Sequence, residues 1–128
     1  MEEFQLRQAP GLVVESRKVP IAHLNITATV IGSAETLYTV RDEVAFEVRR
    51  LAVANTTGTA ATLSLHTVPS GGTAGVGNAE LAAVNVPANS SANLTDFIGG
   101  LYDAGTTFEV YAGTSGALII HGWGEEIL

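Results

Sequence analysis

The chain has 128 residues, of which 46% are hydrophobic and 15% charged, with a net charge of −7 and no cysteine. A chain of that length forms one domain and buries roughly two thirds of its unfolded surface, and without cysteine it has neither a disulfide framework nor a thiolate metal site. All six basic residues fall within the first fifty positions, so residues 51–128 offer no cation to displace counterions from phosphate, and neither nucleic acid nor an anionic membrane surface is an expected partner.

The charged fraction is well below the quarter or so usual in soluble domains. The surface is therefore rich in Ala, Thr, Ser and Gly, which suits permanent packing against other chains. The start, MEEFQLRQAPG, is acidic and has no apolar h-region, so no signal peptide is expected. Residues 1–20 mix apolar groups with Pro10, Gly11 and Pro20 and carry half of the basic residues. They read as an extended N-terminal arm packed on a neighbour or along its own domain, with residues 21–128 as the domain proper. The other reading is an ordinary first strand, LVVES, behind a frayed end.

From residue 21 onward period-two alternation dominates, the mark of half-buried strands. LNITATVI (24–31) alternates apolar with polar, and ETLYTV (35–40) repeats the pattern after Gly32-Ser33. In VAFEVRRLAVAN (44–55) the apolar set occupies 44, 46 and 48 and then changes parity to 51 and 53. Either a bulge at Arg49-Arg50 restores the register or the run is two short strands with a break. NTTGT (55–59) is a hairpin loop into AATLSLHTV (60–68). LAAVNV (81–86), ANLTDF (92–97), TTFEVYA (106–112) and ALIIHGWGEEIL (117–128) complete the set, separated by Gly, Pro, Asn and Ser turns. The pattern predicts an all-β fold, a single antiparallel sandwich of about eight strands, jelly-roll or Greek-key-like. Alternation does not reveal strand order. In the last strand Leu118 and Ile120 face one way and Ile119, His121 and Trp123 the other, so both faces require cover, from another subunit or from the arm.

Chemical motifs are scarce. SGGTAGVGN (70–78) holds four glycines, but Asn78 and Ala79 stand where a P-loop needs Lys and Ser/Thr, and the third glycine of a dinucleotide fingerprint is missing. The loop reads as structural. His23, His66 and His121 form no HxH or HxxxH pair, so no metal is expected and each reads as a surface or interface residue. GTSG (113–116) lacks the spacing of a nucleophile elbow, and no pair of carboxylates stands out for hydrolysis. No enzyme activity and no cofactor are expected. The sequons at Asn25, Asn55, Asn89 and Asn93 are explained by polar turns and strand faces. Trp123, with Tyr102 and Tyr111, is either a core or interface anchor or part of a sugar-binding platform.

RLAVANTTGTAATLSLHTVPSGG (50–72), LAAVNVPANSSANL (81–94) and LYDAGTTFEVYAGTSGALIIHGWGEEI (101–127) resemble patterns of small virion proteins of tailed bacteriophages. The resemblance covers roughly residues 44–127 and departs at the arm. It implies a β-sandwich or jelly-roll module, assembled in the host cytoplasm and carried in the virion. Such modules act as trimers in capsid decoration (cement), at the neck or in tail fibres. For decoration it implies a homotrimer on the major capsid protein, the arm anchored by Phe4, Leu6, Leu12, Val13 and Val14. Arg7, Arg17 and Lys18 would then meet acidic capsid surface, with Trp123 at an interface. The alternative is a neck, collar or fibre module binding a receptor or glycan.

Overall fold

The structure, a computed structural model, describes residues 4–9 and 12–128, with side chains from residue 15 onward except at 96. These residues form ten strands: β1 (Phe4–Ala9), β2 (Leu12–Asn25), β3 (Glu35–Thr39), β4 (Ala45–Asn55), β5 (Ala61–Val68), β6 (Ala79–Val86), β7 (Ser90–Asn93), β8 (Leu101–Tyr102), β9 (Thr107–Ala112) and β10 (Leu118–Ile127). One sheet has the order β1-β2-β10-β4-β7, with β8 also paired to β4, and the other has the order β3-β9-β5-β6. All pairings are antiparallel. Strands β7 and β8 run along the same side of β4, so together they occupy one strand position.

After β2 the chain alternates between the sheets, with β7 and β8 counted as one position and the β5–β6 hairpin as the exception. That connectivity is the jelly roll. Sequence alternation left the choice among Greek-key sandwiches open, and the long-range pairing decides it.

The core lies where the inner faces meet. Phe46, Val48, Leu51, Val53, Leu118 and Ile120 from the larger sheet pack on Leu63, Leu65, Phe108 and Val110, all with at most 1% exposure. Each such side chain contributes about 1.5–3 kcal/mol by leaving water. Tyr38 and Tyr102 extend this core, their rings 4.5 Å from Phe46 and 4.9 Å from Phe108.

The parity change in β4 is a bulge. Trp123 faces Arg50 and Gly124 faces Val48, so Arg49 is the extra residue and the strand stays continuous. Two expected strands are shifted toward the N-terminus. In place of 24–31 the strand is β2, which shares only residues 24 and 25 with it, and in place of 92–97 it is β7, which shares only 92 and 93. Strand β2 ends at Asn25, and Ile26 then drops into the core as the chain leaves for the other sheet. There the Glu35 carboxylate accepts the amides of Thr27 and Ala28 at 2.6 and 2.7 Å, which takes them out of any ladder. Chiefly the Ala28 amide, and then those of Thr27 and its hydroxyl, hold the Glu35 carboxyl below its ordinary value of 4.5 against a smaller desolvation effect. Strand β7 ends at Asn93, and a 3-10 turn at Thr95–Phe97 turns Phe97 inward to close the core.

The NTTGT segment, expected as a hairpin loop, instead crosses between the sheets, because β4 belongs to the larger sheet and β5 to the smaller, and one buried side chain organises it. Asn55 Nδ2 donates to the carbonyls of Thr59 and Val86 at 2.9 and 3.0 Å, and Oδ1 accepts the amide and hydroxyl of Thr57 at 2.9 and 2.8 Å. A sequon asparagine used in this way is not available to a glycan. Asn55→Ala is expected to lower stability by about 2 kcal/mol, because the Val86 carbonyl loses a buried partner. Urea denaturation checks this, and a loss under half that size would show that water replaces the amide.

Candidate functional site

The outer face of the larger sheet is patterned by cross-strand rows. In register, Ala52 lies between His121 of β10 and Asn93 of β7, and Ala54 lies between Ile119 and Ser91. Two methyl side chains between larger neighbours leave a trough along β4. Its volume is about 210 Å³, and Arg50, beside the β4 bulge, is its charged lining residue.

Neighbours in the same sheet position the trough's His121. A register shift in β2 between Leu24 and Ile21 brings His23 beside it. The two imidazoles stack with centroids 4.1 Å apart and planes 5° from parallel. Desolvation first, then His23 and Arg50, lower the His121 pKa from its ordinary 6.5, so the ring is predominantly neutral at neutral pH. Further along the face, Lys18 lies over Trp123 with its ammonium 4.6 Å from the ring centre. Arg49 Nε donates to Glu125 at 3.1 Å, and its Nη1 is 3.6 Å from Glu47.

The expected cover for this face is therefore supplied in part by its own sheet. Lys18 and His23 shield Trp123 and His121, and β1 extends the sheet edge beside β2 instead of lying across the face.

The glycine loop lies against the other sheet. His66 Nδ1 donates to the Gly75 carbonyl at 3.0 Å and to Asn78 Oδ1 at 3.1 Å. Asn78 also accepts the Gly75 amide and donates to the Thr73 carbonyl, at 3.0 and 2.9 Å. The Gly75 amide, which a phosphate cradle would use, is thus occupied by Asn78. His66, expected at the surface or at an interface, is 2% exposed beneath the loop, stacked on Tyr111 and with Nε2 lacking a hydrogen-bond partner. A cavity of about 350 Å³ separates the loop from the turn at Ile31–Ser33, with Glu109 as its charged lining residue.

At one end of the sandwich a carboxylate enters the inner face. Glu126, 2% exposed, stands between Arg17 of β2 and Phe46 of β4 in register. It accepts a hydrogen bond from Arg17 Nη2, and Arg41 Nε donates to both of its oxygens at 2.9 Å. Burial, and secondarily the nearby Glu126 charge, push the Tyr38 phenol up to about 12.

Of the residues singled out from sequence, Arg17 is thus bound to Glu126 within the sandwich, Lys18 covers Trp123, and Trp123 is half-buried on the outer face. Phe4, Leu6 and Arg7 belong to β1 and Leu12, Val13 and Val14 to the start of β2, and their side chains lie outside the described residues. Strand β2 runs through Pro20, so residues 16–20 pair with β10 as part of the larger sheet. Tyr102 packs on Phe108 and Tyr111 on His66, so neither stands open at a loop mouth. The trough was missed. Its signal was LAVAN, where alanines mark the outer positions of a strand whose inner positions are Leu51 and Val53. Among the described residues no group of three or more histidines and carboxylates is placed to hold a metal ion. No family model, curated protein or solved structure matches the chain.

Proposed function

We propose that this chain is a non-enzymatic structural protein of a tailed-phage virion, a capsid decoration protein that stabilises the head through subunit contacts as a trimer. The observation that carries the reading is the open sheet edge at β1. Among the described residues, strand β1 is paired on one side only, with β2. Its free side is a row of unpaired backbone groups, the usual template for strand addition by another chain. The low charge and the exposed Ile98 and Leu101 beside β4, 45% and 61% accessible, support a surface made for contact. A jelly roll is a common scaffold for capsid modules, which is support at the level of fold alone. A permanent contact of this kind buries on the order of 2,000 Å² or more.

Light scattering on the full chain tests the reading. The expected mass is about 40 kDa, three times 13.2 kDa. Deleting residues 1–11 removes β1 but leaves the β2–β10 ladder whole, so the shortened chain is expected to stay folded, to run as a monomer and to lose binding to heads stripped of the protein. A full-length monomer that also fails to bind such heads would sink the decoration reading. A second reading, a neck, collar or fibre module that binds a receptor or glycan, is favoured by the trough beside Arg50.

A further inference from the structure

We propose that the trough between β10, β4 and β7 binds a sugar bearing a carboxylate, with Arg50 taking the carboxylate and Asn93 and Ser91 the hydroxyls. The inference stands on the trough's own geometry and does not require the decoration reading. Four observations lead to it.

The trough is concave where a strand face is ordinarily flat, and its volume of about 210 Å³ suits a single sugar ring. Its floor of Ala52 and Ala54 offers methyl groups to the C–H face of a ring. Its β7 wall carries an amide and a hydroxyl, each able to donate and accept, which matches sugar hydroxyls better than a bare anion. Its charge is concentrated at Arg50, whose planar guanidinium binds carboxylates in bidentate fashion.

The selectivity for an acid follows from how the cations are distributed. Strands β3, β9, β5 and β6 contain no Lys or Arg and carry Glu35, Glu80 and Glu109. An anion approaching the smaller sheet meets only like charge, whereas on the larger sheet it meets Arg50 with His121 beside it. His121 makes the site sensitive to pH. The groups facing it are His23 from β2 and Arg50 from β4, and β7 contributes the uncharged Ser91 and Asn93. Along β10 the next charged residue is Glu125, which is held by Arg49. A bound carboxylate offsets the repulsion from His23 and Arg50, which adds to desolvation in disfavouring the charged His121, so protonation and binding favour each other.

The test is a titration of the full chain with D-glucuronate, followed by two-dimensional amide NMR, with D-glucose and acetate in parallel. Glucuronate is expected to shift the amides of Ala52, Ala54, Ser91, Asn93 and His121, and to bind at least about tenfold more tightly than either glucose or acetate. Arg50→Gln is expected to weaken it about tenfold or more, and Ala54→Tyr, which fills the trough with Arg50 in place, to abolish it. The same spectra report whether each variant is folded. In the native chain the affinity is expected to rise several-fold from about pH 8 to about pH 5, and His121→Gln to flatten that rise. Absence of glucuronate shifts in the trough would overturn the proposal. Glucose binding as well as glucuronate would overturn the role of the carboxylate, and acetate or a glutamate-rich peptide binding as well would overturn the sugar.

Discussion

Gly122→Ala is expected to destabilise the sandwich by about 3 kcal/mol or more and to lower its melting temperature by about 10 °C. A methyl carbon at residue 122 would lie 2.0 Å from the Arg50 carbonyl oxygen and 3.0 Å from the Leu51 Cα. Both are backbone atoms at the β4 bulge, so no side chain can swing away to make room. The neighbouring Gly124 is closed in similarly, by the Phe46 ring at 2.3 Å and the Glu47 carbonyl oxygen at 2.4 Å. The motif GWG in the last strand therefore lets β10 pass close beneath Phe46 and along the bulge while Trp123 points outward. Gly77→Ala is the matched control, because nothing lies within 4 Å of a methyl group there. It is expected to change stability by no more than about 0.5 kcal/mol. Thermal unfolding of the two variants side by side decides the matter. Equal melting temperatures would mean that the strands are not as close as described.

Glu126→Gln is expected to cost about 3 kcal/mol, measured by urea denaturation at neutral pH. The substitution keeps size and shape but removes the charge that meets Arg17, itself only 16% exposed. Removing one member of a buried pair is costly because the remaining charge keeps its desolvation penalty. Arg41→Ala should be far milder, at most about 1 kcal/mol, since that side chain is half exposed and water replaces much of the contact. If the two losses are equal and small, Glu126 does not hold β2 to β10. The ion pair joins strands from opposite ends of the chain, so its loss is expected to loosen the edge that carries β1. The proposed decoration function uses that edge, and on that proposal binding to stripped heads is expected to weaken in the same variant.

These two sites show where sequence reading stops. Glu125 and Glu126 are adjacent acids in the sequence, yet one lies outward on Arg49 and the other inward on Arg17 and Arg41. Alternation predicts that they face opposite ways, but not which of them meets a cation from residues 17 or 41. The cationic residues of the N-terminal stretch read as contacts for an outside partner, whereas Arg17 meets an acid within its own sandwich. Likewise His66 looked like a surface or interface histidine because nothing local announces that a loop nine residues later folds over it.

The sequence by itself determined the all-β class, most of the strands, the parity change in β4 (read as either a bulge or a break) and the absence of phosphate-binding motifs. Each of these depends on residues within a few positions of one another, through period-two alternation, a parity change or a missing lysine. The tertiary structure alone decided the jelly-roll order, the Glu126 ion pair, the burial of His66 and the trough over Ala52 and Ala54. Each of those joins strands far apart in the chain, and their register is set by long-range pairing and core packing that no local pattern encodes.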